Sequence, residues 1–493
     1  MSLRSRVSAL FKGREEFDLT SGGIGWPLFY LALPIVVTNL LQTAYNLADT
    51  FWLGQYSTEA LAAISFAFPM VFLLISFGLG VSVAGSVLVA QHTGAEEERQ
   101  AQYAAAQTVT FAAIVAAVLG AVGYFGVEPI AGLLGAEPNV QRLVGEYMRV
   151  IAVGLPLMFG FFVFISLMRG YGDTITPMLV MFGTVVVNIL IDPLLIFGVG
   201  PFPELGVAGA AYATIFSRGV AFLVGMWIMV DGRRGVRIRV GDLSPDLEYA
   251  RKLVRIGLPS SVEGVGRSVS VNLMLVIVGL FATPVVAGFG IGIRVFSVIF
   301  LPAIAVGRAV ETMTGQNLGA DKPDRAAEAA RLAAVVMFGV LAGAGVLTWV
   351  GATPIAALFS NDPEVIRVAR DFLRWVAPTF GFLGAMRAYN GSFRGAGKTF
   401  TAAVISISAL GLIRLPFAYF AVRPPDFLGI DPAGTNGIWL AFAVSNVLGA
   451  AMAYAWYQRG TWRDADATRG PGGDVVDDAD GSVNPADGAP TDD

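Results

Sequence analysis

QHTGA at residues 91–95 returns as QNLGA at residues 316–320, and the offset of 225 residues between the two copies decides the fold. Working outward from this pair, the same offset keeps recurring. Leu33-Pro34 matches Leu258-Pro259, and Glu137-Pro138 with Val140 matches Asp362-Pro363 with Val365. Arg169-Gly170, Gly172 and Thr174 match Arg394-Gly395, Gly397 and Thr399. An insertion in either half would break this register. Two copies of one unit in an apolar chain is how many transporters are built, with the substrate path between the copies.

Composition agrees. Soluble domains carry about 25% charged and 45–50% apolar residues. This chain of 493 residues is 14% charged and 55% hydrophobic, with a mean hydropathy of +0.66. It has no Cys, which excludes disulfides and thiolate metal sites, and a single His, His92, which excludes a His-rich metal cluster. The net charge of −4 says little, because nine Asp lie in the last thirty residues.

Crossing the hydrocarbon core takes about 20 mostly apolar residues. Twelve stretches qualify: 27–53, 60–90, 102–124, 141–168, 175–198, 206–230, 252–280, 284–314, 326–351, 365–393, 400–422 and 437–458. The apolar runs are unbroken rather than alternating, so helices are expected and not barrel strands. The expected fold is an all-α integral membrane protein, with twelve transmembrane helices in two pseudo-symmetric six-helix bundles. Its parts are an N-terminal segment (1–26), a first lobe (27–230), a linker (231–251), a second lobe (252–458) and an acidic, Gly- and Pro-rich tail (459–493) expected to be disordered. The basic first segment lacks the apolar core of a signal peptide and is a candidate interfacial helix. An even number of spans per unit gives both copies one orientation. With the termini on the cytoplasmic face, 21 Lys and Arg fall in cytoplasmic segments and one, Arg423, in the opposite loops. This bias predicts a multi-pass plasma-membrane protein with both termini inside.

A charge in mid-membrane costs about 2.5–3.5 kcal/mol on insertion scales, so each one needs a reason. The first span carries Asn39, Gln42, Asn46 and Asp49 on one helical face, after the kink expected at Pro34. The fifth carries Thr184, Asn188 and Asp192 at intervals of four, with Pro193 as another expected bend. Asp49 and Asp192 fall roughly 13 and 9 Å outward of their span centres at 1.5 Å per residue. Packed together, the two carboxylates, an amide and Tyr147 or Thr214 form one pocket. Close acids shielded from water cannot easily both ionise, so such a pair suits a proton or a shared Na⁺. The alternative is structural, with Asp49 capping a helix end and Asp192 bonded to backbone. At the equivalent positions of the second copy stand Met274, Ile413 and Phe417, so the coupling acids belong to the first half alone.

The second half has its own charges. Glu263 and Arg267 stand at the spacing of a helical ion pair, with Arg294, Arg308, Glu311 and Arg414 further on. Arg169-Gly-Tyr-Gly-Asp-Thr and its copy suggest tight turns, with a helix cap at Asp173 or Thr174. His92 is expected at an inner span end, solvated or capping. No Walker spacing, nucleophile elbow or acidic metal–diphosphate motif occurs, and nothing supports an enzyme.

Taken together, LP (33–34), NLADTFWLG (46–54), Gln91 with TGA (93–95), RGYGDT (169–174), NILIDP (188–193) and GVAGAAYAT (206–214) resemble the multidrug and toxic compound extrusion (MATE) family. GLPSS (257–261), GQNLGA (315–320) and RGAGKT (394–399) echo it in the second half. The resemblance covers roughly residues 27–458 and is best for the DinF-like branch, which includes archaeal members. It implies two lobes about a V-shaped cleft and H⁺- or Na⁺-coupled export of amphipathic compounds. Asp49, Asp192, Asn188 and Thr214 would then hold the cation, while Pro34, Gln42, Asn46 and Tyr147 would line or gate the cavity. No cofactor beyond the coupling ion, no nucleic acid and no partner beyond membrane lipids and a small-molecule substrate is implied, and a monomer suffices. The competing readings are a lipid-linked sugar or lipid flippase of the same superfold, which would want a basic cavity, and an uncoupled channel or receptor.

Overall fold

The computed structural model describes residues 18–133, 138–233, 235–424, 433–463 and 467. The expected N-terminal interfacial helix and the acidic tail beyond 467 lie outside the described residues. The first lobe comprises α1 (Gly25–Tyr56), α2 (Thr58–Gly94), α3 (Glu98–Leu133), α4 (Pro138–Tyr171), α5 (Ile175–Phe197) and α6 (Gly206–Asp231). The second comprises α7 (Leu247–Val278), α8 (Thr283–Gly319), α9 (Pro323–Val350), a short α10 (Ala352–Ala357), α11 (Pro363–Val376), α12 (Phe380–Gly395), α13 (Thr399–Ile407), α14 (Leu415–Val422) and α15 (Gly434–Gln458). Among the described residues, eleven helical stretches are long and apolar enough to cross a membrane, counting Thr399–Val422 as one.

Local chemistry sets the boundaries. The Ser57 hydroxyl accepts from Ala60 N at 3.0 Å to start α2, and Asp246 accepts from Glu248 N and Tyr249 N to start α7. Asp173 receives Ile175 N and Thr176 N, so Asp173, not Thr174, caps α5. The tenth span is not one unbroken helix as expected. A 3₁₀ turn, Ala377–Thr379, separates α11 from α12 at Pro378, which has no N–H to continue the ladder. Between α13 and α14 the chain passes through a π-helical stretch, Ser408–Arg414. Helices α1 and α5 run unbroken through Pro34 and Pro193.

The repeat is visible in three dimensions. Among the described residues, Glu96 and Asp321, 225 residues apart, are the non-glycine residues with positive φ (63° and 55°), each just past the end of its lobe's second helix. At the termini end of the molecule α2 crosses α8 so tightly that a Cβ on Gly94 would overlap the Gln316 carbonyl oxygen, and one on Gly319 that of Gln91. The crossing is clasped reciprocally. Gln91 Nε2 donates to Gly395 O at 3.1 Å, and Gln316 Nε2 donates to the equivalent Gly170 O at 2.9 Å.

The lobes also exchange the first turns of their first helices. Ile24, just before α1, and Leu28 and Leu31 of α1 are buried in the core of the second lobe with Met313, Ala330 and Phe393. Tyr249, Leu253 and Ile256, at the same register one repeat later, are buried in the core of the first lobe with Val87, Ala105 and Leu167. Helix α1 therefore belongs to both bodies, its beginning packed on one and its far half on the other.

Candidate functional site

A cavity of about 430 Å³ opens inside the first lobe, walled by α1, α2, α4, α5 and α6. The polar face of α1 lines it through Asn39, Gln42, Asn46 and Asp49, as its spacing of three and four residues requires. Tyr147 and Thr214 line it as well. Pro34 does not; it lines a neighbouring apolar hollow with Trp26 and Phe29. The remaining wall is apolar, with Phe68, Phe72 and Phe162 prominent.

Asp49 and Thr214 line the cavity, while Asn188 and Asp192 are buried behind its wall, close to Asp49. Thr214 Oγ1 of α6 lies 3.5 Å from Asp49 Oδ2 of α1, and Asn188 Nδ2 donates to Asp192 Oδ1 within α5 at 3.1 Å. The two carboxyls are within hydrogen-bonding reach of each other when one carries a proton. Asn188 and Asp192 have no exposed surface. Asp49 Oδ1, Asn188 Oδ1 and Asp192 Oδ2 are buried without any hydrogen-bond donor. Leaving buried oxygens unsatisfied costs about 1–3 kcal/mol each, and more for charged ones. Carboxylate, amide and hydroxyl oxygens are the donor types a hard cation takes; a single proton shared between the acids would serve two of the three. Asp49 lies inside α1 rather than at its end, so it does not act as a helix cap.

Arg218 of α6 enters the same cavity and was not singled out in the sequence. Its Nη2 donates to Gln42 Oε1 at 2.7 Å, and its guanidinium sits 4.5 Å from the Tyr45 ring centre. Gln42 Nε2 passes the chain on to Asn46 Oδ1 at 3.0 Å. Arg218 is within electrostatic range of Asp49, yet no ion pair closes between them among the described residues. The carboxyls are thus not locked by arginine. Tyr45 bonds Ser217 at 3.3 Å, and Arg169 lines the cavity near the clasped end.

In the second lobe the expected Glu263–Arg267 pair does not form. Both Glu263 oxygens accept from Arg394 Nη2, at 2.6 and 2.7 Å. Arg308 pairs with Glu311 at 2.9 Å. Arg414 donates to Ser445 and Asn446, and Asn446 to Thr379, which ties the π-helical stretch to the break in the tenth span. Arg294 is exposed. His92 is buried rather than solvated, with Nδ1 2.6 Å from Glu97 Oε2.

Two pseudo-symmetric helical lobes of membrane-spanning length, one enclosing a cavity with a polar face, define a membrane transporter. A family model described as MatE matches residues 34–194 and 259–420, and the chain belongs to the MatE family. A protein of Shewanella oneidensis described as an FAD transporter is 30% identical, over 90% of this chain and 97% of its own length. A probable multidrug resistance protein of Bacillus subtilis, YoeA, is 29% identical over 89% of this chain and 94% of its own. The fold matches a crystal structure of a MATE protein in the bent conformation, with a TM-score of 0.84, 24% identity and coverage of 91% of this chain and 98% of that one.

Proposed function

We propose that the protein is a secondary antiporter that takes up H⁺ or Na⁺ at Asp49, Asp192, Asn188 and Thr214 and exports amphipathic organic compounds. The observation carrying this reading is the set of three buried oxygens with no donor, on Asp49, Asn188 and Asp192, at the edge of a cavity large enough for an organic molecule. Two relatives, described as a probable multidrug resistance protein and an FAD transporter, support small-molecule cargo. The bias of Lys and Arg supports cytoplasmic termini, with the clasped crossing on the inner side and the acids toward the outside.

Helix α1 supplies the coupling. A cation drawn between Asp49 and Asp192 pulls α1 and α5 together and narrows the cavity they share, which expels cargo. The first turns of α1 are seated in the other lobe, so a shift of its far half bears on the lobe–lobe contact. Cation release on the inner side after the lobes rock completes the cycle. One charge crossing about 100 mV supplies roughly 2.3 kcal/mol, enough for a roughly 40-fold gradient of a neutral compound.

The test uses purified full-length protein in liposomes, with imposed H⁺ and Na⁺ gradients applied separately. Asp49→Asn and Asp192→Asn are expected to abolish gradient-driven export while leaving the melting temperature within a few degrees. Full export by either variant rejects the coupling role.

A further inference from the structure

Arg218 gives the cavity of the first lobe a hydrogen-bonding direction. A guanidinium has N–H donors and no acceptor, so a side chain bonded to it must present oxygen. Its Nη2 donates to Gln42 Oε1 at 2.7 Å, which commits the Gln42 oxygen to α6 and leaves the Gln42 nitrogen to act along α1. That nitrogen donates to Asn46 Oδ1 at 3.0 Å, which commits the Asn46 oxygen in turn. The relay therefore ends on Asn46 Nδ2, which has no partner among the described residues. The amides cannot turn over while Arg218 stays in place. Arg218 is 2% exposed, and its guanidinium lies 4.5, 5.1 and 5.8 Å from the ring centres of Tyr45, Phe161 and Phe162.

Asn39 lies one turn before Gln42 on the same face of α1, and its Nδ2 is buried without an acceptor. Arg218 Nε is buried without an acceptor as well. Asn39, Asn46 and Arg218 all line the one cavity of about 430 Å³. Asp49 is the sole acid among its described wall residues, and the proposed cation site claims it. The polar face thus offers more donors than acceptors. A buried N–H without an acceptor is costly, and an oxygen-edged ligand removes that cost, whereas an amine or ammonium brings further donors and leaves it in place. Phe68 and Phe72 of α2 and Phe162 of α4 supply apolar rings in the same wall, against which an aromatic body can stack.

We propose that the protein selects aromatic cargo by an edge of oxygen acceptors, received by the side-chain amides of Asn39 and Asn46, with Arg218 as the positioning residue that keeps Asn46 turned donor-outward. This deepens the antiport reading and rests on it, since it names what the cation is exchanged for.

Riboflavin and ethidium are the probes. Both are fluorescent fused-ring compounds; the first carries ring carbonyls, and the second is a cation with amine donors and no oxygen. Fluorescence titration of purified full-length protein is expected to show riboflavin bound about tenfold more tightly than ethidium, and liposomes with an imposed ion gradient should export riboflavin faster. Arg218→Met lets the Gln42 and Asn46 amides turn over, so the preference should fall to about twofold or less. Arg218→Lys keeps a side chain that only donates and should retain the preference, a rescue that a merely structural role would not give. Asn46→Leu is the second variant if Arg218→Met does not fold, and should weaken riboflavin about tenfold with ethidium unchanged. Ethidium bound as tightly as riboflavin by the wild type overturns the proposal, as does a preference that survives both Arg218→Met and Asn46→Leu. If ethidium is exported without preference for riboflavin and Asp49→Asn abolishes that export, the antiport reading stands and the acceptor reading falls. If no gradient moves either dye, both fall, because a compound bound without being moved is a ligand and not cargo.

Discussion

Gly94 and Gly319 face each other across the junction of the lobes, each against the backbone carbonyl of the glutamine three residues before its counterpart. No side chain fits at either point, because what a Cβ would meet is backbone rather than a movable side chain. Gly319→Ala is expected to cost about 1–3 kcal/mol by overpacking. Gly339→Ala, with nothing within 4 Å, should cost nothing and add a little helix propensity. Melting temperatures of the two purified variants check this; equal values would show that the crossing loosens without penalty.

The two glutamine bonds of the clasp should count about equally. A hydrogen bond contributes about 1 kcal/mol net, so Gln316→Leu is expected to shift the balance between clasped and unclasped lobes about fivefold. The chain has no Cys, so a single Thr314→Cys, buried at this seam, can report opening by its rate of labelling. Labelling should speed up in Gln316→Leu, and further in the Gln91→Leu/Gln316→Leu double variant.

Glu263 is the sole acid within ion-pairing distance of Arg394 among the described residues, and it also lies 4.0 Å from Arg387. Removing it leaves buried guanidinium charge uncompensated, and Glu263→Gln is expected to destabilise the protein by about 3–5 kcal/mol. Adding Arg394→Gln should recover part of that loss, a reversal visible in denaturation of the purified protein.

Arg218 stands near Asp49 of the proposed cation site without closing an ion pair on it among the described residues. Its charge opposes a second positive charge beside Asp49. Arg218→Gln should therefore tighten apparent affinity for the coupling cation about tenfold and slow its release, read as a lower half-saturating ion concentration with a lower maximal rate. An unchanged half-saturation would mean that Gln42 and Tyr45 fully screen the guanidinium.

Arg325 ties the start of the chain to the second lobe, donating to the carbonyls of Gly22 at 2.7 Å and Ser21 at 2.6 Å. Asn317 adds a bond to Leu19 O at 3.1 Å. Arg325→Ala is expected to release residues 18–23 to proteolysis and leave transport above half of wild type.

The architecture was legible because each copy preserves the same register. The 225-residue offset, read at Gln91 and Gln316, reappears as a pair of matching bonds across one crossing. The polar stripe of α1 and the Asn188–Asp192 pair were legible for a similar reason, since helical spacing alone puts each on one face. Arg218 was missed although it lies four residues after Thr214 in an apolar span; acids and amides drew attention, and the membrane cost applies to Arg equally. The Glu263–Arg267 reading failed because local spacing cannot reveal that Arg394, 131 residues away, approaches the same carboxylate. The interruption at Pro378 had a visible cause, but apolar content carried the span across it.

Leu28 and Leu253 lodge in each other's lobes at equivalent positions, and this has a consequence for ancestry. A surface that grips its own duplicate in this way is what a self-associating half-length protein presents to a second molecule of itself. One six-helix chain, paired side by side in a bilayer by exchanging its leading helix, would already make the seam seen in this protein. Fusing two such genes end to end then frees one half to keep its acids and the other to lose them.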